Sequence, residues 1–478
     1  LKTRISVILI TLLIVLIPVS SAVALDESMK DDLDSNIEEY LEEYRVPGAA
    51  VALVRDGKVF YSNTWGVTGE SEEPITLETP FTLGSISKSL TALAIVKLID
   101  EGKINLEDPV QTHLSWFTLP DDQAASQITI KHLLSQTSGF SPYTGLAISD
   151  HESKSMSAIQ HTAKSLTDAK LSAKPGEIHQ YSNANFIILG ALIEEVSGQV
   201  FTEFMEEHIF LPLGMEHAAS DYESAVKKGY QLGYQSWFGF PVKSSITYDN
   251  GGVPYGYITA NTQDMLAYLE FIRSNEGLLS EENWELYQTP VTETGTDRFY
   301  GLGLRITSPG TKDEMIWHSG STADSHSEFF YFPESDWGGI ILTNKNHILE
   351  EIGLVQLKQG IINIVNEDEA VEISKNTPTV QLIILGVILL LGVLFILLVK
   401  KRKVVKRKKI WGIIGFLQLV VAVAIIPLLT FSTSSPWHAI HVFAPDLAFT
   451  IIVLIIMLVI NGLFLLVVSL RRSTGARS

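Results

Sequence analysis

A chain of 478 residues with a formal net charge of −19 and 46% apolar residues has room for two or three domains. Its 54 carboxylates against 35 lysines and arginines exclude nucleic acid as the partner of its surface, and the absence of cysteine excludes disulfides and thiolate metal sites. The apolar residues gather at the two ends, so a membrane topology underlies whatever fold the middle adopts.

The first residues, Leu1-Lys2-Thr3-Arg4, are basic; an uncharged, mainly apolar stretch follows from Ile5 to Pro18, and then Ser20-Ser21-Ala22-Val23-Ala24. That order predicts a secretory signal over residues 1–24, cut after Ala24, with an uncleaved anchor as the alternative. Residues 32–44 have the spacing of an amphipathic helix. Two strand-like runs, 48–54 and 58–65, are joined by Arg55-Asp56-Gly57, a hairpin signal. From Ser87 to Asp100 the apolar positions follow helical spacing until Gly102 stops them. The stretch to about Tyr287 is mostly helical pattern broken by long loops, with its clearest helices at 183–196 and 262–273. Strand patterns return at 301–307, 315–318, 328–332 and 338–343, and a last helix is expected over 348–365. Strands at both ends with helices between predict an α/β (α+β) domain over residues 25–365, one sheet built from both termini.

A linker at 366–378 leads to apolar segments at 379–399, 410–431 and 447–470, each long enough to span a bilayer. The loop 400–409 carries eight cations, whereas 432–446 has no Lys or Arg. By the positive-inside rule the basic loop and the tail 471–478 are cytoplasmic, and residues 25–378 lie outside, in a multi-pass cell-membrane protein. The lipid bilayer is therefore an expected partner, and the basic loop suits anionic headgroups. The exterior part holds 53 of the acids and 22 of the cations, a net charge of −31.

The chemistry is expected at Gly84-Ser85-Ile86-Ser87-Lys88. A serine three residues before a lysine at a helix start shares a helical face with it, and the helix dipole favours negative charge developing at the hydroxyl. A second Ser-x-x-Lys, Ser224 to Lys227, stands in a polar stretch with no buried helix after it, so context selects Ser85. Tyr-x-Asn occurs at Tyr61, Tyr181 and Tyr248; only Tyr181-Ser182-Asn183 follows Pro175-Gly176-Glu177 and begins an apolar helix. Later comes Trp317-His318-Ser319-Gly320-Ser321.

In that order these elements resemble the serine β-lactamase and penicillin-binding protein superfamily, nearest its class C-like and esterase branch. The resemblance implies a β-lactamase-like antiparallel sheet flanked by helices, with an all-helical subdomain. It implies Ser85 as nucleophile, Lys88 and Tyr181 as the pair that draws its proton, Asn183 as holding Lys88 or the substrate amide, and substrate contacts from His318, Gly320 and Ser321. The backbone N–H groups of Ser85 and Ser321 would form an oxyanion hole, with no metal and no cofactor. Leu133 to Phe140 resembles the family's loop after a short helix, a scaffold element. The family's Lys-Thr-Gly is missing; His318-Ser319-Gly320 resembles the His-x-Gly variant of esterase and peptidase relatives. Asp324 stands where relatives usually have glycine, and an acid there could perturb the substrate strand or exclude a substrate carboxylate. A neutral histidine holds a carboxylate less well than lysine, so the expected substrates are esters, amides or D-amino peptides, small molecules or peptidoglycan peptides, with weak carboxypeptidase and β-lactamase activity. Two alternatives stay open: a receptor of the same fold that deacylates slowly, and a pseudoenzyme that binds cell-wall peptide.

Overall fold

The computed structural model describes residues 27–401 and 408–470. The expected signal segment 1–24, the tail 471–478 and the middle of the basic loop lie outside the described residues.

Helix α1 (Glu27–Glu43) starts earlier than its spacing predicted and buries Leu33, Ile37, Tyr40 and Leu41 as one stripe. Strands β1 (Gly48–Arg55) and β2 (Lys58–Gly66) form the expected hairpin, with Arg55 opposite Lys58. That register leaves a two-residue loop, Asp56-Gly57, with φ of 51° and 68°; this doubly left-handed turn matches the twist of paired strands. Helices α2 (Ser87–Asp100) and α3 (Asn183–Ser197) are buried along most of their length, which is why their sequences are apolar on more than one face. A small hairpin of β3 (Tyr234–Trp237) and β4 (Phe240–Lys243) precedes α4 (Thr262–Ser274), which opens on a capping box made by Asn261 and Asp264.

The other strands of the main sheet are β5 (Thr292–Gly295), β6 (Arg298–Tyr300), β7 (Arg305–Thr307), β8 (Met315–Ser321), β9 (His326–Phe332) and β10 (Trp337–Thr343). The eight-stranded sheet runs β2-β1-β10-β9-β8-β7-β6-β5, antiparallel throughout. Because β1 pairs with β10, Ala49 opposite Thr343, one sheet is indeed made from both ends of the domain. The strand expected over 301–307 is shorter. Gly301 N bonds Leu304 O and Gly303 turns with φ 76° against the backbone of Lys88, so only β7 remains extended. Strands β5 and β6 were not foreseen, since their mostly exposed residues carry no apolar run.

Helix α5 (Glu351–Val365) packs with α1 on the back of the sheet, where Leu33, Ile37, Val51, Phe330, Leu354 and Ile361 share a core. On the front, α2, α3 and α4 share a larger one with Ala50, Phe329 and Ile340. Each such valine, leucine, isoleucine or phenylalanine contributes roughly 1.5–3 kcal/mol when fully buried, so the sheet is held from both faces. The segment 366–378 does not hang free: Ile373 is buried and the Ser374 hydroxyl donates to Gln356 Oε1 at 2.8 Å.

Helices α6 (Thr379–Lys401) and α7 (Lys408–Thr433) are followed by the short α8 (Trp437–Phe443) and by α9 (Pro445–Leu470). Of these, α6, α7 and α9 are long and apolar enough to cross a membrane, and the chain is a multi-pass membrane protein. Helix α8 falls where a loop was expected. It exists because Ala439 and Val442 are buried and because its polar groups bond the sheet domain: the Val442 carbonyl accepts from Gln235 Nε2 at 2.8 Å.

Candidate active site

Ser85 lies on a helical turn, Gly84–Ile86, that runs directly into α2. Three residues on, Lys88 is completely buried, and its Nζ donates to Ser85 Oγ at 3.0 Å and to the Tyr255 carbonyl at 2.7 Å. Among the described residues no carboxylate forms an ion pair with it. Burial, and then the charge of Arg305, hold its pKa well below the ordinary lysine value, with Asp150 acting weakly the other way. An amine in that state can be neutral and take a proton from the hydroxyl it touches.

Tyr181 precedes α3. Its ring faces Lys88 Nζ at 4.9 Å and the Arg305 guanidinium at 5.2 Å from the centroid. The hydroxyl is buried and makes no hydrogen bond among the described residues; burial raises its pKa, while Arg305 and the nearby Ser85 hydroxyl oppose the rise. The 133–140 loop expected as scaffold holds this segment: Gln136, at φ 61°, accepts from Ser182 N through Oε1 at 2.9 Å and from Gln180 N through its carbonyl at 2.8 Å. Asn183 donates to Ser149 Oγ at 2.9 Å, and the hydrogen bonds of Lys88 go to Ser85 and Tyr255 instead.

Strand β8 brings the third element. His318 is fully buried; its Nδ1 carries the proton, because it lies 2.7 Å from the Ser319 carbonyl, which can only accept. Burial, and then Arg305, hold this imidazole well below its usual pKa and therefore neutral. Gly84 and Gly320 explain the closeness of the two backbones. Gly84 has φ 52°, a Cβ on it would run into Ser321 N, and a Cβ on Gly320 would run into Ser85 N. The N–H groups of Ser85 and Ser321 are thereby neighbours. On the back of the sheet the Ser321 hydroxyl meets His326 Nδ1 at 2.8 Å, His326 Nε2 meets Glu328 at 3.2 Å, and Lys358 donates to Glu328 at 2.8 Å.

The protein-family profile described as Beta-lactamase matches residues 33–353, which include all of these side chains except Lys358. The chain belongs to the beta-lactamase family. It is 27% identical over 331 residues to Protein flp of Staphylococcus aureus (strain MW2), covering 67% of this chain and 64% of that one; it thus spans less than two thirds of that relative's length. It is 28% identical over 360 residues to a Beta-lactamase of Escherichia coli (strain K12), covering 68% of this chain and 92% of that one. Among solved structures, the octameric penicillin-binding protein homologue from Pyrococcus abyssi superposes with a TM-score of 0.63 at 27% identity, over 72% of this chain and 78% of that one. Helices α6 to α9 lie outside the beta-lactamase match.

Within this beta-lactamase domain the competing motifs have structural partners. Ser224 N is capped by Asp221, and Lys227 is exposed. Tyr61 and Asn63 both bond Asp34 of α1 on the back of the sheet, and Asp249 accepts from His151 N and Gly251 N. Asp324 is buried and ties Gly233 N at 2.9 Å and the Thr322 hydroxyl at 3.1 Å, so it braces the β3 segment. Arg305 was missed. Its guanidinium stacks over Tyr181, Tyr300 and Trp317, adds to the burial that lowers His179 to about 4, and has no carboxylate partner among the described residues. An unpaired arginine beside aromatic rings was its only signal, and that signal is spatial. Among the described residues no group of His, Asp or Glu is placed to hold a metal.

Proposed function

We propose that this domain is a membrane-anchored serine hydrolase that works through an acyl-enzyme, and that it lies outside the cytoplasmic membrane. What carries the reading is the 3.0 Å contact between Ser85 Oγ and the buried, carboxylate-free Lys88. Lys88 takes the Ser85 proton, with Tyr181 beside it, as Oγ bonds to a substrate carbonyl carbon. The oxyanion that forms is met by the N–H groups of Ser85 and Ser321, each such donor worth roughly 10²–10³ in rate. The proton passes to the leaving alkoxide or amine, and water then releases the acyl group and regenerates Ser85. Gly320 lets the two donors converge, and the neutral His318 lines the substrate strand. Asn183, held by Ser149, faces the substrate from the helical side.

The substrate class we infer is an ester, amide or D-amino peptide related to the cell wall. Arg305 adds a preference: it supplies, one strand away, the cation that His318 does not, and so favours an anionic group close to the scissile bond. The orientation rests on the basic segment between α6 and α7, which the positive-inside rule puts in the cytoplasm.

A panel of short esters, D-Ala-D-Ala peptides and a chromogenic cephalosporin, followed by turnover and intact mass, tests this. Turnover with a transient adduct that Ser85→Ala abolishes and Ser224→Ala leaves is the expected result. A permanent adduct without turnover would make the domain a receptor instead, and dependence on Ser224 would refute the assignment.

A further inference from the structure

Helix α9 enters the membrane at Pro445, and its second residue, Asp446, is completely buried against the hydrolase domain. Asp446 Oδ1 meets His347 Nε2 at 2.9 Å, and Oδ2 accepts from Phe238 N at 2.8 Å and from Gln381 Nε2, in the first turn of α6, at 3.0 Å. One carboxylate thus joins the domain-side ends of two spans to two segments of the domain, and Trp237 lies 6.0 Å from Phe449, a turn inside α9. The level of Asp446 is therefore the level at which the bilayer begins.

Both tied segments continue into side chains that water should not see. After Phe238 come Phe240 and Val242; after His347 come Ile348, Leu349, Ile352 and Val355, all between 45% and 58% exposed. Ile348, Ile352 and Val355 are spaced as one face of a helix, and the same face becomes polar further from Asp446, at Gln359 and Asn363. The apolar stretch is about 10 Å long at 1.5 Å per residue, the depth to which a protein surface sinks into the headgroup and upper acyl region. Arg45 stands over the Phe240 ring at 4.4 Å, an apolar body with a cation beside it. With 53 acids against 22 cations the domain is not drawn to anionic headgroups, so contact here has to be apolar.

We propose that Phe240, Val242, Ile348, Leu349, Ile352 and Val355 form a lipid-facing rim that seats the hydrolase domain in the leaflet next to its own spans, with Arg45 at the level of the lipid phosphates. The seat rests on the three spans and the Asp446 contacts, not on the reaction assigned to Ser85.

The chain has no cysteine, so single cysteines report without background. Phe240→Cys, Ile352→Cys, Val355→Cys, Gln359→Cys and Val226→Cys would each carry a nitrobenzoxadiazole label in the full chain, reconstituted in phosphatidylethanolamine–phosphatidylglycerol vesicles. Val226 is equally exposed but belongs to neither tied segment. Labels at 240, 352 and 355 should lose emission to nitroxide-bearing lipid and resist an aqueous quencher, unchanged in high salt; labels at 359 and 226 should do the reverse. Because a label could itself draw a site into lipid, Ile352→Asp is made in the Val355→Cys chain and should return that label to water. Aqueous quenching at 240, 352 and 355 equal to that at 226 overturns the seat, as does protection that high salt removes.

Discussion

On the front of the sheet Lys88 is buried with a serine hydroxyl and a carbonyl as its partners; on the back Lys358 is buried with Glu328 at 2.8 Å. The residue type, the burial and the sheet are shared, and only the partner differs. A buried ammonium without a counter-charge is so unfavourable that the amine gives up its proton more easily, which is the direction in which Lys88 is shifted. A buried ammonium beside a carboxylate keeps its charge and imposes geometry. Burial pushes Glu328 up, yet Lys358 and His326 together hold it below the usual carboxylate range. The difference teaches where to look for chemistry in this fold: at the charge the protein has left unpaired. Ser321 touches both sides, its N–H beside Ser85 and its hydroxyl on the His326 arm of the back network.

Exchanging the lysines one at a time is the strongest way to break that contrast. Lys88→Met should lower turnover by about 10²–10⁴-fold and leave thermal stability unchanged or higher, since it removes an unpaired buried amine. Turnover by the unaltered protein should fall with falling pH as Lys88 gains its proton, in a limb well on the acid side of the ordinary lysine value of about 10.4. A limb near that value would mean that Lys88 is not the base. Lys358→Met should instead cost about 3–5 kcal/mol of stability by leaving Glu328 uncompensated, read as a loss in denaturant midpoint. Adding Glu328→Gln should recover most of it. Because the folded-state pKa of Glu328 is depressed, its contribution is present above its unfolded pKa, about 4.3, and is lost as pH falls through the folded value. If Lys358→Met abolished turnover at full stability, the two lysines would have been assigned to the wrong faces.

The close backbone approach on the front offers a second test of smaller size. Gly320→Ala forces a methyl into the backbone of Ser85 and should lower kcat by about 10²–10³-fold, the effect of losing one oxyanion donor. Acylation by a reactive β-lactam should slow in parallel, whereas Gly295→Ala, at a glycine whose Cβ would meet nothing, should leave both rates alone. Equal rates for Gly320→Ala and the unaltered protein would remove the Ser85 and Ser321 amides from the mechanism.

The front was legible to the extent that its chemistry is local. Ser85 and Lys88 are one helical turn apart, and Tyr181 opens an apolar helix, so spacing together with the flanking residues brought them forward. What escaped depends on chain reversals. Arg305 reaches Tyr181 only because the chain turns at Gly301 and Gly303, and the Lys88 acceptor is a backbone carbonyl at Tyr255, which no side-chain pattern marks. Asn183 sits at the expected place, but its side-chain amide bonds Ser149 and not the amine. In the fold, apolar runs identified the buried strands, while exposed β5 and β6 were invisible for want of one. Helix α8 read as a loop because a seven-residue helix acquires its stability from the domain it lies on, not from its own sequence.

Arg305 makes the finest distinction, because its guanidinium stands beside Tyr181 and keeps its proton at any working pH. Two effects should follow from Arg305→Met, and they separate its roles. Its charge lowers the pKa of Lys88, so removing it should raise that pKa and move the acid limb of the pH profile to higher pH, for every substrate. Its donors face the substrate strand, so kcat/KM for a substrate with a carboxylate beside the scissile bond should fall about 10- to 100-fold relative to a neutral ester, mainly through KM. A shifted limb with unchanged preference would leave Arg305 as a modulator of Lys88 alone. Lost preference with an unmoved limb would make it a substrate contact alone, and the low pKa of Lys88 would then rest on burial.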